Sequence, residues 1–304
     1  MLGFLLRRVH LASLFPEWSI RTLAYLVAGL AITGLGVVLA TWRWQCVLKA
    51  LELPQPLRPL LGHYLAGLFV GNFLPSTVGG DVLRTRRLGA ATGEPEVSFA
   101  SVVLERLTGW IVLPVLSLAA FVINRGLLRF GRSSTIAFVV TAATLGALVL
   151  VLAAAGSPSI GGRLAGHGSW LRFLGAVHLG IDRLRRHRRL AVNVLLAGFA
   201  YQLVVVAAAW LTARALGVHL SSTAALAFVP IVAIVHVLPI SVGGLGLREQ
   251  AFSLFLHPLG VPTGRAVAFG LLLYGMNLAA SLAGAPAFAL GNRPGTRPKQ
   301  PVVT

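Results

Sequence analysis

Apolar residues fill long blocks of this chain. Five of them approach or exceed the roughly 20 residues that a helix needs to cross a bilayer: Leu23–Ala40, Val97–Ile123, Thr135–Ala155, Leu190–Ala213 and Ala266–Leu290. Two more blocks, Leu60–Val78 and Ala224–Val242, each end in a Gly-Gly pair, and a short apolar piece, Ala251–Leu259, follows the second. The pattern predicts an all-α, polytopic integral membrane protein. It has about six or seven spanning or re-entrant elements in a single transmembrane domain over residues 1–304.

The two Gly-Gly blocks share a sequence. Leu74-Pro-Ser-Thr-Val-Gly-Gly-Asp-Val-Leu-Arg84 returns as Leu238-Pro-Ile-Ser-Val-Gly-Gly-Leu-Gly-Leu-Arg248, with seven of eleven positions identical. Proline and paired glycines break a helix, and a charge follows each break. Broken helices at matching places in two halves of a membrane protein point to a transporter-like binding site.

Arginine placement orients the chain. Segment 156–189 reads as a loop with Arg163, Arg172, Arg183, Arg185, Arg186, Arg188 and Arg189. Tail 291–304, read as disordered, carries Arg293, Arg297 and Lys299, and Arg84, Arg86 and Arg87 follow the first motif. Cytoplasmic placement of all three satisfies the positive-inside rule. Leu190–Ala213 and Ala266–Leu290 already account for two crossings between the loop and the tail, so segment 224–259 is predicted to be a re-entrant hairpin turning at Pro239 and Gly243-Gly244. Segments 97–123, 135–155 and 190–213 separate the motifs, and this odd number makes them inverted repeats. Arg125, Arg129 and Arg132 then fall outside, against the rule. Met1–Leu6 before Arg7-Arg8 is too short to span, and its charges follow the apolar run, unlike a signal peptide. Segment 1–19 therefore reads as the tail of a shortened first helix.

Composition supports the membrane reading. The 304 residues are 56% hydrophobic and 11% charged, where a soluble domain carries about 25% charged residues. Mean hydropathy is +0.82. The net charge of +18 would suggest nucleic acid in a soluble protein. Here it reflects arginine-rich loops, and no nucleic-acid partner is expected. The single cysteine, Cys46, excludes an intrachain disulfide, no Asn-x-Ser/Thr sequon occurs, and the Ala-, Gly-, Leu- and Arg-rich usage is bacterial in style.

Of the eight acidic residues, Glu17, Glu52, Glu94, Glu96 and Asp182 have loop-like surroundings. Asp81, Glu105 and Glu249 lie in or against apolar segments. A charge there costs about 2.5–3.5 kcal/mol, so each should face the bundle interior or a wet cavity, with a partner. Glu105 and Arg106 are adjacent and point apart on a helix. Asp81 or Glu249 would serve Arg106, and Arg84 or Arg248 would serve Glu105. A helix starting at Asp81 would let it pair with Arg84 and would place its charge at the positive dipole end. Two readings stand side by side. In the first, the charges form a buried packing network without a ligand. Alternatively, the Gly-Gly turns with Ser76, Thr77 and Ser241 expose backbone N–H groups to an anion such as a phosphate, with Arg84, Arg106 and Arg248 adding charge-assisted contacts.

The run Arg183, Arg185, Arg186, Arg188 and Arg189 reads first as a topology signal and second as a surface for anionic lipid headgroups. Trp42-Arg43-Trp44 reads as an interfacial anchor. His236 reads as hydrogen-bonded packing, with a proton relay as the sharper alternative. No zincin, nucleophile-elbow or Walker A motif occurs, no motif calls for a cofactor or a metal, and the chain is not expected to be an enzyme.

The segments Asn72–Arg84, Leu104-Glu-Arg-Leu-Thr-Gly109 and Leu238–Glu249, with Trp42–Leu48 before them, resemble the lysylphosphatidylglycerol synthase transmembrane (flippase-like) family over nearly the whole chain. The resemblance implies a membrane domain with broken helices that moves an aminoacylated phospholipid between leaflets, in relatives joined to a soluble synthase domain. With fourteen residues after Leu290, a synthase label would describe those relatives and not this chain, and a separately encoded lipid-modifying enzyme is a candidate partner. The implied substrate-binding set is Asn72, Pro75, Ser76, Thr77, Gly79, Gly80, Asp81, Arg84, Glu105, Arg106, Gly109, Pro239, Ser241, Gly243, Gly244, Gly246, Arg248 and Glu249. The expected function is translocation of a phospholipid or other polar-headgroup lipid in the cell membrane. The alternatives are a part in membrane glycolipid, polyprenyl-linked sugar or aminoacyl-lipid synthesis, with Asp81 or Glu105 acting on a lipid-linked sugar, and a non-transporting membrane scaffold.

Overall fold

The computed structural model describes residues 18–73, 79–156, 169–237, 244 and 246–291. Among these, regular structure is helical, without strands. In chain order the helices are α1 (Ile20–Ala50), α2 (Leu57–Phe73), α3 (Gly79–Thr92), α4 (Pro95–Ile123), α5 (Arg132–Gly156), α6 (Ser169–Arg186), α7 (Arg188–Ala215), α8 (Ser222–Val237), α9 (Leu247–Leu256), α10 (Thr263–Leu282) and α11 (Gly284–Ala289). The five helices long and apolar enough to cross a membrane are α1, α4, α5, α7 and α10. They match the five long apolar blocks. Pro75, Ser76, Thr77, Pro239, Ser241 and Gly243, the N-terminal segment before Trp18 and the tail after Gly291 lie outside the described residues.

The outer surface is apolar. Ile20, Val122, Ile123 and Leu150 are each more than 70% exposed, as side chains dissolved in lipid tails can be. The interior is organised around α4, which packs on α1, α3, α5, α6, α7 and α8. Toward its C-terminal end, Phe121 meets the stacked pair Phe228 and Phe255 of α8 and α9. Toward its N-terminal end, Val102 joins Trp44, Leu48, Leu60 and Leu88 in a second apolar cluster. Glu105 and Arg106 lie on α4 between these clusters.

Each Gly-Gly motif joins a helix to a shorter one packed against it, α2 to α3 and α8 to α9. The first contact depends on missing side chains. Gly67 and Gly71 form a Gly-x-x-x-Gly face on α2, and a Cβ on Gly80 would run into the Gly67 carbonyl oxygen. Small residues at this spacing let helix backbones touch in a membrane.

Three elements differ from expectation. α1 is capped by Ser19, whose hydroxyl accepts from the Thr22 N–H at 3.1 Å, and it continues ten residues past Ala40 because Thr41, Arg43, Trp44, Val47 and Leu48 are buried by neighbouring helices. The block Ala266–Leu290 is two helices and not one. Pro286 lacks the N–H that would bond back to Leu282, and Gly284 rests against the Leu65 carbonyl of α2. The loop read over 156–189 contains α6, an amphipathic helix whose Leu174 and Val177 are buried against α4 and α5, with Ile181 packed at their edge. Periodicity at three- and four-residue intervals underlies it, masked in the sequence by the arginine content.

Candidate functional site

Five charged side chains from α1, α3 and α4 form one row. Helix α3 starts at the Gly-Gly pair, so Asp81 lies in its first turn and Arg84 follows one turn later. Arg84 Nη2 donates to Asp81 Oδ1 at 2.6 Å and to Glu105 Oε2 at 3.1 Å. Glu105 Oε1 accepts from Arg43 Nη2. Asp81 Oδ2 accepts from Arg106 Nε at 2.8 Å and is 2.7 Å from Arg106 Nη2. The order is Arg43, Glu105, Arg84, Asp81, Arg106, alternating in sign and ending in a cation on both sides.

The row is buried at one end and open at the other. The Arg43 and Glu105 side chains are 6% and 2% exposed, Asp81 is 19% and Arg106 is 47%. Aromatic rings wall the buried part. The Arg43 guanidinium lies 4.6 Å from the Tyr201 ring centre, and that of Arg84 lies 4.7 Å from Tyr64 and 5.0 Å from Trp44. Such faces attract a desolvated cation. Trp44 is held by its indole N–H, which donates to Ser101 Oγ at 2.9 Å. Nε and Nη1 of Arg43 and Nη1 of Arg84 are buried donors without an acceptor among the described residues.

The second motif builds a smaller site. Gly244 and Gly246 take φ of +73° and +86°, values open to glycine at little steric cost, and a Cβ on Gly244 would strike the His236 ring. Glu249, fully buried, folds back to accept from the Gly246 N–H at 2.6 Å. Arg248 donates to Glu249 Oε1 from Nε at 3.1 Å and Nη2 at 2.7 Å, and it lies 5.0 Å from the Tyr274 ring of α10.

Tyr274 connects the motifs. Its hydroxyl donates to the Asn72 carbonyl at 3.3 Å, at the end of α2, while its ring carries Arg248. Asn72 from the first half and Arg248 from the second therefore meet at the Tyr274 side chain.

The pairings Asp81–Arg84, Asp81–Arg106 and Arg84–Glu105 are as the sequence proposed. Glu249 does not serve Arg106, nor Arg248 Glu105, because capping the α9 turn holds Glu249 next to Arg248. Gly79 opens α3 and Gly80 is buried against α2. Gly109 is buried on α4 beside the Arg43 guanidinium, whose Nη1 lies 3.6 Å from where a Cβ would be, an ordinary contact distance. Of the interfacial anchor read at Trp42-Arg43-Trp44, Trp42 is 37% exposed, whereas Arg43 and Trp44 turn inward. Arg43, Tyr64, Tyr201 and Tyr274 were missed. Arg43 could have been found by treating it, like Glu105, as an ionisable residue within a membrane helix.

Five membrane-length helices around a buried charge row define a multi-pass membrane protein of the cell membrane. The family model described as the lysylphosphatidylglycerol synthase TM region matches residues 1–284, and the chain belongs to that family. No curated protein and no solved structure matches the chain. The family is tied to membrane phospholipid, and the chain is its membrane domain.

Proposed function

We propose that this protein moves a phospholipid, or another lipid with a phosphate-bearing polar headgroup, between leaflets, with Arg106 as the first contact for the phosphate. One observation carries the reading. Among the described residues, Arg43, Arg84, Arg106 and Arg248 face three carboxylates, Asp81, Glu105 and Glu249, in these two linked sites. One cation is in excess where water is scarce, and its half-exposed end is available to a headgroup. An uncompensated charge at membrane depth is costly, and a phosphodiester supplies one negative charge and oxygens suited to a guanidinium fork. The parallel build of the two hairpins, each with an arginine and a first-turn carboxylate after its glycines, supports treating them as an inverted, re-entrant pair around one path.

Catalysis on a lipid-linked sugar is less well supported, because both oxygens of Asp81 and of Glu105 already accept from guanidinium groups. The test is the purified full chain in liposomes carrying headgroup-labelled phosphatidylglycerol, with leaflet exchange and lipid composition followed together. Wild type should exchange the label without covalent change. Arg106→Gln and Arg106→Lys should slow exchange by about tenfold or more, as loss of a well-directed charged hydrogen bond of about 1.5–3 kcal/mol requires. A new lipid species would support the catalytic alternative, and neither exchange nor a new species would support a scaffold.

A further inference from the structure

The α6–α7 joint holds a second cluster of positive charge, remote from the row in residue content. α6 ends at Arg186, α7 starts at Arg188, and Arg185, Arg186, His187, Arg188, Arg189 and Leu190 line an open groove of about 380 Å³. The arginines there are not equivalent. Arg183 Nη1 donates to the Leu51 carbonyl and to Glu52 Oε2, both at 2.6 Å, and Arg186 pairs with Asp182 at 2.7 Å. Arg185, Arg188 and Arg189 are exposed and make no ion pair among the described residues. The first turn of α7 contains no acidic residue to balance them. Three neighbouring cations repel one another unless an anion lies between them.

The surface beyond the groove is apolar. Val192, Leu195 and Leu196 are 53%, 36% and 59% exposed, and their spacing from Arg188 sets them on its face of α7. A phosphate in the groove would have a hydrocarbon-facing stripe directly alongside, where acyl chains can lie. Free phosphate has no use for such a stripe. We propose that the α6–α7 joint binds the headgroups of anionic phospholipids in the adjoining leaflet, at a site separate from the charge row that Arg106 ends.

The test is the full chain in phosphatidylcholine bilayers containing spin-labelled phosphatidylglycerol or spin-labelled phosphatidylcholine, reading the fraction of label immobilised by the protein. Wild type should prefer the anionic lipid, and the preference should fall as salt is raised, because exposed charges are screened. The combined Arg185→Gln, Arg188→Gln and Arg189→Gln variant should lose about fivefold in preference per arginine, the ratio given by about 1 kcal/mol per charge. Equal immobilisation of both lipids by wild type, or insensitivity to salt, would overturn the proposal without recourse to variants whose insertion could be altered. Loss of the preference in Arg106→Gln would place the lipid at the charge row instead, and displacement of the lipid by millimolar inorganic phosphate would make the groove a site for the free ion.

Discussion

Replacing Glu105 by Gln tests whether the row is held together by charge. Glu105 is 2% exposed and accepts from Arg43 with one oxygen and from Arg84 with the other. Gln keeps the shape but offers one oxygen and one NH2 group, so one guanidinium then faces a donor. Counted over Arg43, Arg84, Arg106, Asp81 and Glu105, the formal charge rises from +1 to +2. Breaking a buried pair from one side costs about 3–5 kcal/mol, a large part of a total stability of about 5–15 kcal/mol. In detergent the melting temperature should drop on the order of 10 °C. Adding Arg43→Gln removes the cation left without a partner. The double variant should then be more stable than the sum of the single losses predicts, by about 1–3 kcal/mol. Thermal unfolding of wild type, both singles and the double decides the matter. A Glu105→Gln protein as stable as wild type, or strictly additive losses, would refute a charge-held row.

Cysteines introduced near Arg185 and near Arg297 should react with an impermeant reagent from the cytoplasmic side only, and labelling from opposite sides would remove the re-entrant assignment of 224–259. Gly80→Leu and Gly244→Leu should both weaken binding of a lipid analogue to the solubilised protein, since one side chain meets the Gly67 carbonyl and the other the His236 ring at φ +73°. The double variant should lose less than the sum, and normal binding by either single variant would separate the two motifs. Tyr274→Phe removes a long hydrogen bond worth about 0.5–1 kcal/mol and keeps the ring beside Arg248, whereas Tyr274→Leu removes both. Lipid exchange should therefore suffer more in the leucine variant, and equal rates would deny the ring a part.

Features that depend on near neighbours along the chain were legible in the residues alone. Length and apolarity fixed the five membrane helices, because a bilayer needs a minimum run and tolerates few charges. Helical spacing paired Asp81 with Arg84, and the divergence of adjacent side chains sent Glu105 and Arg106 to different partners. Arg248 and Glu249 pair although adjacent, because Glu249 bends back to the Gly246 N–H at the start of α9, a tertiary and capping detail that spacing does not carry. α6 was hidden because its buried face is short and its arginines resemble a loop. The partners of Arg43 follow from packing between distant helices. It sits between two tryptophans at the end of an apolar run, a pattern that also describes an interfacial anchor, and Glu105 is 62 positions away. Which face of α1 turns inward is set by its packing on α7, α2 and α4, and Tyr274 joins the two motifs because α10 lies against α2 and α9. Periodicity says that a helix has faces; the neighbours that bury one of them come from distant parts of the chain, so the inward face, and with it the charge row, is settled by packing.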